Sequence, residues 1–488
     1  MSKVFRSDSQ KPGLTRNLLL NIAGIPLGPR FIRSLKEMRR VQWLSPDELR
    51  ARSEHRLQSL LNHAAENVPF YQNLYRRLSL RSDQLQTVDD LQALPIFTKT
   101  DYRQSEPQSF WATDIKPEFR VQRRTSGSTG EPFYFFLDRR ALPIIFASHL
   151  FYDSWHGLQP FDRYVRIVAP AAAQSPWPSN SSVAVKSRGA LTSTLQNIYE
   201  SWTQERISLW EVNSEKAEDI WRRIEAFRPK FVMGYTSTLA AIADELLTRG
   251  LRLSFDVRGI ITIAETLTPN RRRLIEEYFD APIINRYGLR EFGSWSAQSC
   301  PVSPDKFHLN TELVVCEILA PDGTPCAPGK TGRVVLTDLH NFARPFIRYD
   351  TGDMAAACSD MCSCGRGFPL LGPIEGRSLE CVRTPSGAEI SPAILGHFLF
   401  VYNNHLETVR HYQLIQETAD SVVLLIVPGN EWDEQNRLRL QSDLRQLLGE
   451  QMVVDVRAVP EIPAEKSGKR PIIKLNPQIT PTSFSPLR

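Results

Sequence analysis

Thr125-Ser126-Gly127-Ser128-Thr129-Gly130-Glu131-Pro132 interleaves short hydroxyl side chains with glycine, the composition a backbone needs to wrap a polyphosphate. Glycine lets N–H groups approach an anion closely, and serine and threonine add short donors to the same pocket. The flanks, Val121 to Arg124 and Phe133 to Leu137, are β-prone, so the stretch reads as a turn joining two strands. It is not a Walker A loop, which needs Gly-x4-Gly-Lys-Ser/Thr entering a helix; Glu131-Pro132 stands where that lysine would be. Alone the pattern also suits an ordinary hairpin turn. The remainder of the chain decides between the two.

Composition sets broad limits. A chain of 488 residues holds about two to four domains and a large core. A net charge of +5 from scattered basic residues does not imply nucleic acid as the main ligand. The N-terminus is the exception. Lys3, Arg6, Lys11, Arg16, Arg30, Arg33, Lys36, Arg39 and Arg40 flank the apolar run Leu18 to Leu27, a combination suited either to an anionic membrane surface or to an ordinary packing arm. The run contains Asn21, Gly24 and Pro26; it is too short to span a bilayer and lacks a signal-peptide cleavage site. Seven cysteines in so long a chain are no secreted disulfide framework. They point to a reducing, cytoplasmic compartment, with membrane association through the arm as the alternative.

Ser45 to Leu80 has helical spacing in Leu57, Leu60, Leu61, Ala64 and Ala65, started by Ser45-Pro46-Asp47-Glu48. Phe161 to Pro170, Phe231 to Gly234, Gly259 to Ala264 and Ala281 to Asn285 read as strands, with helices over Ser237 to Arg249 and Pro269 to Phe279. This alternation predicts α/β layers. After Gly376 the texture changes to a compact mix, strands at Val422 to Val427 and Met452 to Val459 around a helix from Asp433 to Leu448. The expected fold class is α/β: a large N-terminal multi-layer α/β body with a small mobile α+β C-terminal domain. The expected divisions are 1–90 for the basic arm and helical entry, 91–377 for the large domain and 378–488 for the C-terminal lid.

Four further segments carry chemistry. Tyr287-Gly288-Leu289-Arg290-Glu291 follows a strand, and open α/β sheets place ligands at strand C-termini. Arg348-Tyr349-Asp350-Thr351-Gly352-Asp353 offers two carboxylates on a turn, Gly376-Arg377 follows, and Lys466-Ser467-Gly468-Lys469-Arg470 is a late basic loop. Singly these read equally well as a helix entry, a surface turn and a solvated tail.

In this order the five motifs resemble the adenylate-forming superfamily of acyl-CoA synthetases, and most closely its phenylacetate-CoA ligase and capsule-biosynthesis branch. The resemblance extends to the helical entry around Ala64 to Tyr71 and to Leu94-Pro95 through Tyr102. It implies a two-step reaction: a carboxylate attacks the α-phosphate of ATP to give acyl-AMP and pyrophosphate, and a second nucleophile, commonly the thiol of coenzyme A, takes the acyl group. By the same resemblance Thr125, Ser126, Gly127, Ser128, Thr129 and Gly130 hold the outgoing phosphates, Tyr287 with Gly288 flanks the adenine, and Glu291 binds Mg²⁺, a hard cation that wants oxygen ligands. Asp353 accepts the ribose hydroxyls, Arg377 lies beside ribose and phosphate, and Lys469 bridges carboxylate and α-phosphate. Two positions depart from the family. The domain swing turns on an Asp or Lys two residues after the arginine, where this chain has Leu379 followed by Glu380; and the phosphate loop ends in Glu131-Pro132 rather than Pro-Lys.

Cys358-x3-Cys362-x-Cys364-Gly365-Arg366 puts three thiols in one turn, with Cys300 upstream. Tetrahedral Zn²⁺ wants four thiolate or imidazole ligands, so Cys300, Cys358, Cys362 and Cys364 are the expected structural zinc site, with His308 as substitute ligand if one cysteine faces away; free loop thiols are the plain alternative. Cys316, Cys326 and Cys381 receive no role. The leading expectation is an AMP-forming carboxylate ligase acting on a small carboxylate with ATP, Mg²⁺ and coenzyme A. Alternatives are transfer of the acyl group to an amine or hydroxyl, and a non-catalytic nucleotide-binding scaffold, which Leu379 favours and the retention of Glu291, Asp353, Arg377 and Lys469 disfavours. The acyl pocket is expected between Tyr235 and Ala264 and near Tyr287, where Trp202, Trp210, Tyr235 and Trp295 suit an aryl or long acyl group, or an ordinary core. Neither the acid nor the oligomeric state is legible.

Overall fold

A computed structural model describes residues 28–124, 133–168, 202–208, 211–212, 215–377, 380–386, 389–403, 408–465 and 469–476. The stretch 125–132, Trp210, Leu379, residues 466–468 and the arm 1–27 lie outside them. The chain begins with helices α1 (Gly28–Val41), α2 (Pro46–Asn67), α3 (Pro69–Leu78) and α4 (Lys99–Gln104). Ser45 and Glu48 form a reciprocal capping box at the start of α2, which buries Leu57, Leu60, Leu61 and Ala64. The apolar spacing runs on past Asn67, but the helix does not: Pro69 forces Val68 into an extended conformation and divides the pattern in two.

Strands β1 (Arg120–Arg124) and β2 (Tyr134–Asp138) pair antiparallel with Arg124 opposite Tyr134, so the hydroxyl-rich stretch connects the two arms of a hairpin. Helix α5 (Leu142–Ser154) follows. Then β3 (Tyr164–Val168), β4 (Gln204–Ser208), α6 (Ala217–Phe227), β5 (Phe231–Tyr235), α7 (Thr236–Thr248), β6 (Gly259–Ile263), α8 (Pro269–Phe279) and β7 (Ile283–Gly288) build the α/β layer, extended by β8 (Trp295–Gln298) and β9 (Phe307–Leu309). A second sheet uses β10 (Val314–Leu319), β11 (Thr331–Asp338), β12 (Tyr349–Ala356) and, after the short β13 (Leu370–Leu371), β14 (Ile374–Arg377). Last come β15 (Val382–Arg383), β16 (Glu389–Ile390), α9 (Pro392–Asn403), β17 (Val409–Thr418), β18 (Ser421–Pro428), α10 (Glu434–Leu448), β19 (Val453–Ala458) and β20 (Ile473–Leu475).

The large sheet has eight strands in the order β13-β9-β8-β7-β6-β5-β3-β4. Neighbours from β7 to β4 are parallel, which leaves the C-terminal ends of β5, β6 and β7 along one edge, where open α/β sheets bind ligands. One face carries α6, α7 and α8 over a core that includes Ile220, Leu239, Ile242 and Leu274; the other is lined by Phe231, Met233, Ile261 and Ile284. The second sheet, order β10-β11-β12-β14, is antiparallel throughout and shares its core with the helical entry. The C-terminal sheet, order β19-β18-β17-β20, has its own core around Leu414, Leu424, Leu440 and Ile473. No helix among the described residues is long and apolar enough to cross a membrane.

Candidate active site

The C-terminal edge of the parallel strands receives side chains from three parts of the molecule. From β7, Tyr287 is buried, and its hydroxyl donates to Asp353 Oδ2 at 2.8 Å. Burial, reinforced by the Asp353 carboxylate, pushes the phenol well above its ordinary range, so it serves as a proton-bearing donor at any physiological pH. Asp353 lies on β12 opposite Arg377 on β14, and Arg377 Nε is 3.4 Å from Asp353 Oδ1. Asp353 raises the Arg377 guanidinium further. Asp350 to Asp353, expected on a turn, lie within β12 at an irregularity of its pairing with β11, and the stretch is self-braced: Thr351 Oγ1 accepts from Asp353 N at 3.0 Å and Asp350 Oδ1 from Gly352 N at 2.9 Å. Gly352 has φ +74, a conformation that costs a residue with a Cβ. Gly288 is required for a different reason, since a Cβ there would sit 2.6 Å from Ser294 O.

Glu291 is buried at the turn after β7. Its Oε1 accepts from Tyr349 at 3.3 Å and lies 4.0 Å from Lys99 Nζ. Lys99, the first residue of α4, stands 5.4 Å from the ring centroid of Phe133, the residue that follows the hydroxyl-rich stretch. Burial lowers the Lys99 ammonium and Glu291 partly restores it. The sequence reading quoted this segment without giving Lys99 a role; a lysine opening a short helix carries no local signal, and its partners are about 190 and 34 residues away in the chain. Ala264 was missed for a similar reason. It directly follows β6 with φ +67, a strained conformation for a non-glycine residue, and its carbonyl accepts from Lys469 Nζ at 3.0 Å.

Lys469 comes from the C-terminal unit. Its ammonium lies 5.9 Å from the Tyr235 ring centroid; burial lowers its pKa against the opposing pull of Glu265. Arg470 N donates to Ser237 Oγ at 3.4 Å, and the Glu265 carboxylate accepts from Ser237 N at 2.8 Å at the start of α7. Tyr235 and Trp295, expected near the acyl pocket, both pack on the apolar face of the sheet beside Met233 and Ile263. Trp202 does not join them and is exposed.

The cysteine cluster lies at the other end of β8 and β9. Ligand atoms of Cys300, His308, Cys362 and Cys364 all fall within 4.8 Å of one another. Cys300 Sγ is 3.6 Å from Cys362 Sγ, and Cys364 Sγ is 3.5 Å from His308 Nε2. Tetrahedral zinc with Zn–S near 2.3 Å has S···S edges of about 3.8 Å, so spacing and donor type both fit. Cys358, expected as the fourth ligand, falls outside this group, and the substitute candidate His308, held in place by the β9–β13 pairing, stands with the other three.

The fold can be compared with known proteins. Superposition on 2-hydroxyisobutyryl-CoA ligase in the postadenylation state gives a TM-score of 0.71 at 19% identity, covering 90% of this chain and 92% of that one. The same enzyme in the thioesterification state gives 0.58 at 20% identity over 89% and 92%. The fold is therefore that of the adenylate-forming CoA ligases. In sequence the chain is a homologue of proteins named phenylacetate-coenzyme A ligase and CapK. It is 27% identical to phenylacetate-coenzyme A ligase of Thermus thermophilus over 77% of this chain and 80% of the relative. It is 21% identical to protein CapK of Staphylococcus aureus over 95% and 97%, and residues 382–476 match the CapK C-terminal domain.

Proposed function

We propose that this protein activates a carboxylic acid with ATP, forming acyl-AMP and pyrophosphate, and then passes the acyl group to coenzyme A. The observation that carries the reading is the approach of Tyr287 and Glu291 from β7 and its following turn, Asp353 and Arg377 from the second sheet, and Lys469 from the loop before β20 to one strand edge. Two sheets of the body supply anchors for a nucleoside and a metal–phosphate group; the C-terminal loop brings a cation from outside. Asp353, its outer oxygens steadied by Tyr287 and Arg377, presents carboxylate lone pairs to the ribose hydroxyls. Arg377 balances that charge and reaches toward phosphate. Lys469 compensates the negative charge that grows on the α-phosphate as the carboxylate attacks, an electrostatic contribution strongest at the transition state.

The oxygens of Glu291 suit Mg²⁺, which when bound neutralises polyphosphate charge; Tyr349 and Lys99 fix the orientation of that carboxylate. The stretch 125–132, carried between β1 and β2, is the part of this reading that cradles the departing pyrophosphate. Cys300, His308, Cys362 and Cys364 hold a structural Zn²⁺ that ties the β8–β9 edge to the loop before β13. A second reading keeps the adenylation and passes the acyl group to an amine or hydroxyl in place of coenzyme A.

The test is carboxylate-dependent pyrophosphate release across aryl, fatty and hydroxy acids, with and without coenzyme A. Release that multiplies with coenzyme A supports the first acceptor, release indifferent to it supports the second, and none with any acid contradicts the reaction.

A further inference from the structure

Lys469 sits on a part of the chain that must be held against the body to reach the site. On the far side of the interface, two helical turns along α7, Asp244 is buried between the two parts although it belongs to the body. Its carboxylate receives Arg410 Nη2 at 2.8 Å and His411 Nε2 at 2.8 Å, both from β17. Arg410 Nη2 also donates to Thr248 Oγ1 at 3.0 Å. Burial pushes the Asp244 carboxyl up, but His411 and Arg410 outweigh it and hold it below its ordinary value.

Two features connect this contact with Lys469. Ser237 and Asp244 are seven residues apart on α7, which puts them on one face about 10 Å apart; Ser237 meets Arg470 and Asp244 meets Arg410. Within the C-terminal unit, β17 and the segment leading to β20 form a single ladder. Gln413 Nε2 donates to Pro471 O at 2.9 Å, Leu414 N to Ile472 O at 2.8 Å, and Leu414 stands opposite Ile473. Fixing Arg410 therefore fixes the backbone that presents Lys469. The surrounding interface is not closely packed: it carries a cavity of about 190 Å³ between α7, β17 and Arg470, lined by polar and apolar side chains in similar measure, and that mixed character suits surfaces that separate better than it suits a domain core.

We propose that Asp244 is a positioning residue: by clasping Arg410 and His411 it latches the C-terminal unit in the orientation that delivers Lys469, and so acts on acyl-AMP formation and not on the later transfer. This rests on the reading of Lys469 as the adenylation lysine.

The experiment compares Asp244→Ala, the charge swap Asp244→Arg with Arg410→Asp, and Lys469→Ala with the unaltered full-length protein. Pyrophosphate release is measured without coenzyme A, thioester formation from synthetic acyl-AMP with coenzyme A, and overall dimensions by small-angle scattering. Asp244→Ala is expected to slow pyrophosphate release about tenfold or more, the scale of one lost charge-assisted contact, to leave thioester formation unchanged and to expand the particle. The charge swap is expected to recover most of the loss, which a general folding defect would not allow. Both half-reactions falling together, or neither changing, would overturn the latch. Wild-type adenylation by Lys469→Ala would overturn the functional reading instead; unchanged scattering of Asp244→Ala would then still refute the latch, and expansion would still support it.

Discussion

Replacing Lys469 by alanine removes the cation that the C-terminal unit brings to the proposed adenylation chemistry, and its cost follows from charge and distance. The ammonium is half-buried at the mouth of β5 and β6, 3.0 Å from Ala264 O, within reach of a nucleotide held by Asp353. A unit charge about 4 Å from a developing negative charge contributes about 4 kcal/mol at an effective dielectric near 20. Arg377 stands at the same site and screens part of this, so about 3 kcal/mol is lost, a fall of roughly two orders of magnitude in rate. Because the charge it meets is created in the transition state, kcat should fall while the KM for ATP stays nearly constant. The assay is pyrophosphate release at saturating ATP and carboxylate, with thioester formation from synthetic acyl-AMP as control. Loss below about fivefold, or an equal loss in the control, would refute the assignment.

Other consequences are equally open to test. Tyr287→Phe removes the 2.8 Å bond to Asp353; it is expected to weaken ATP binding by about tenfold, the worth of one hydrogen bond to a charged group, and an unchanged KM would contradict the role given to Asp353. Protein purified without chelators should carry one zinc per chain, lost together with several degrees of Tm in Cys364→Ser, whereas Cys358→Ser should keep it; zinc-free wild-type protein would dispose of the site. Burial pushes Asp338 up to about 7, against about 3.9 in an unfolded chain. Between those values the folded protein holds a proton the unfolded chain has released, so this group makes stability fall as pH rises through the window. Asp338→Asn stays neutral and can still accept from His340 N; its Tm should exceed wild type at pH 8 and match it near pH 4, and a constant difference would contradict the linkage.

Much of this architecture is legible in the chain because it is locally encoded. The helix from Asp433 to Leu448 is capped where its N-terminal aspartate stands, and Pro269–Phe279 forms within its sequence limits. Strand β7 runs three residues past Asn285, since Arg286, Tyr287 and Gly288 pair with β8, a partner that local periodicity does not reveal. Motif order points to Tyr287, Glu291, Asp353, Arg377 and Lys469, of which Tyr287, Asp353 and Arg377 are in direct contact. What escaped is what depends on tertiary neighbours. Asp244 looks like one more charge on a helix until β17, more than 160 residues later, covers it. His308 is legible as a substitute ligand, but that it and not Cys358 joins the group turns on a side-chain direction set by β9, and the strain at Ala264 on a turn that composition does not mark.

The central claim is that this site makes an acyl adenylate. The most direct test mixes the protein with ATP labelled in the α-phosphate, Mg²⁺ and a panel of carboxylic acids, omits coenzyme A, and resolves the quenched products. The account predicts, with at least one acid, an enzyme-bound acyl-AMP approaching one equivalent, formed roughly a hundredfold more slowly in Lys469→Ala. Labelled ADP in its place, or hydrolysis to AMP with no dependence on any acid, would contradict it.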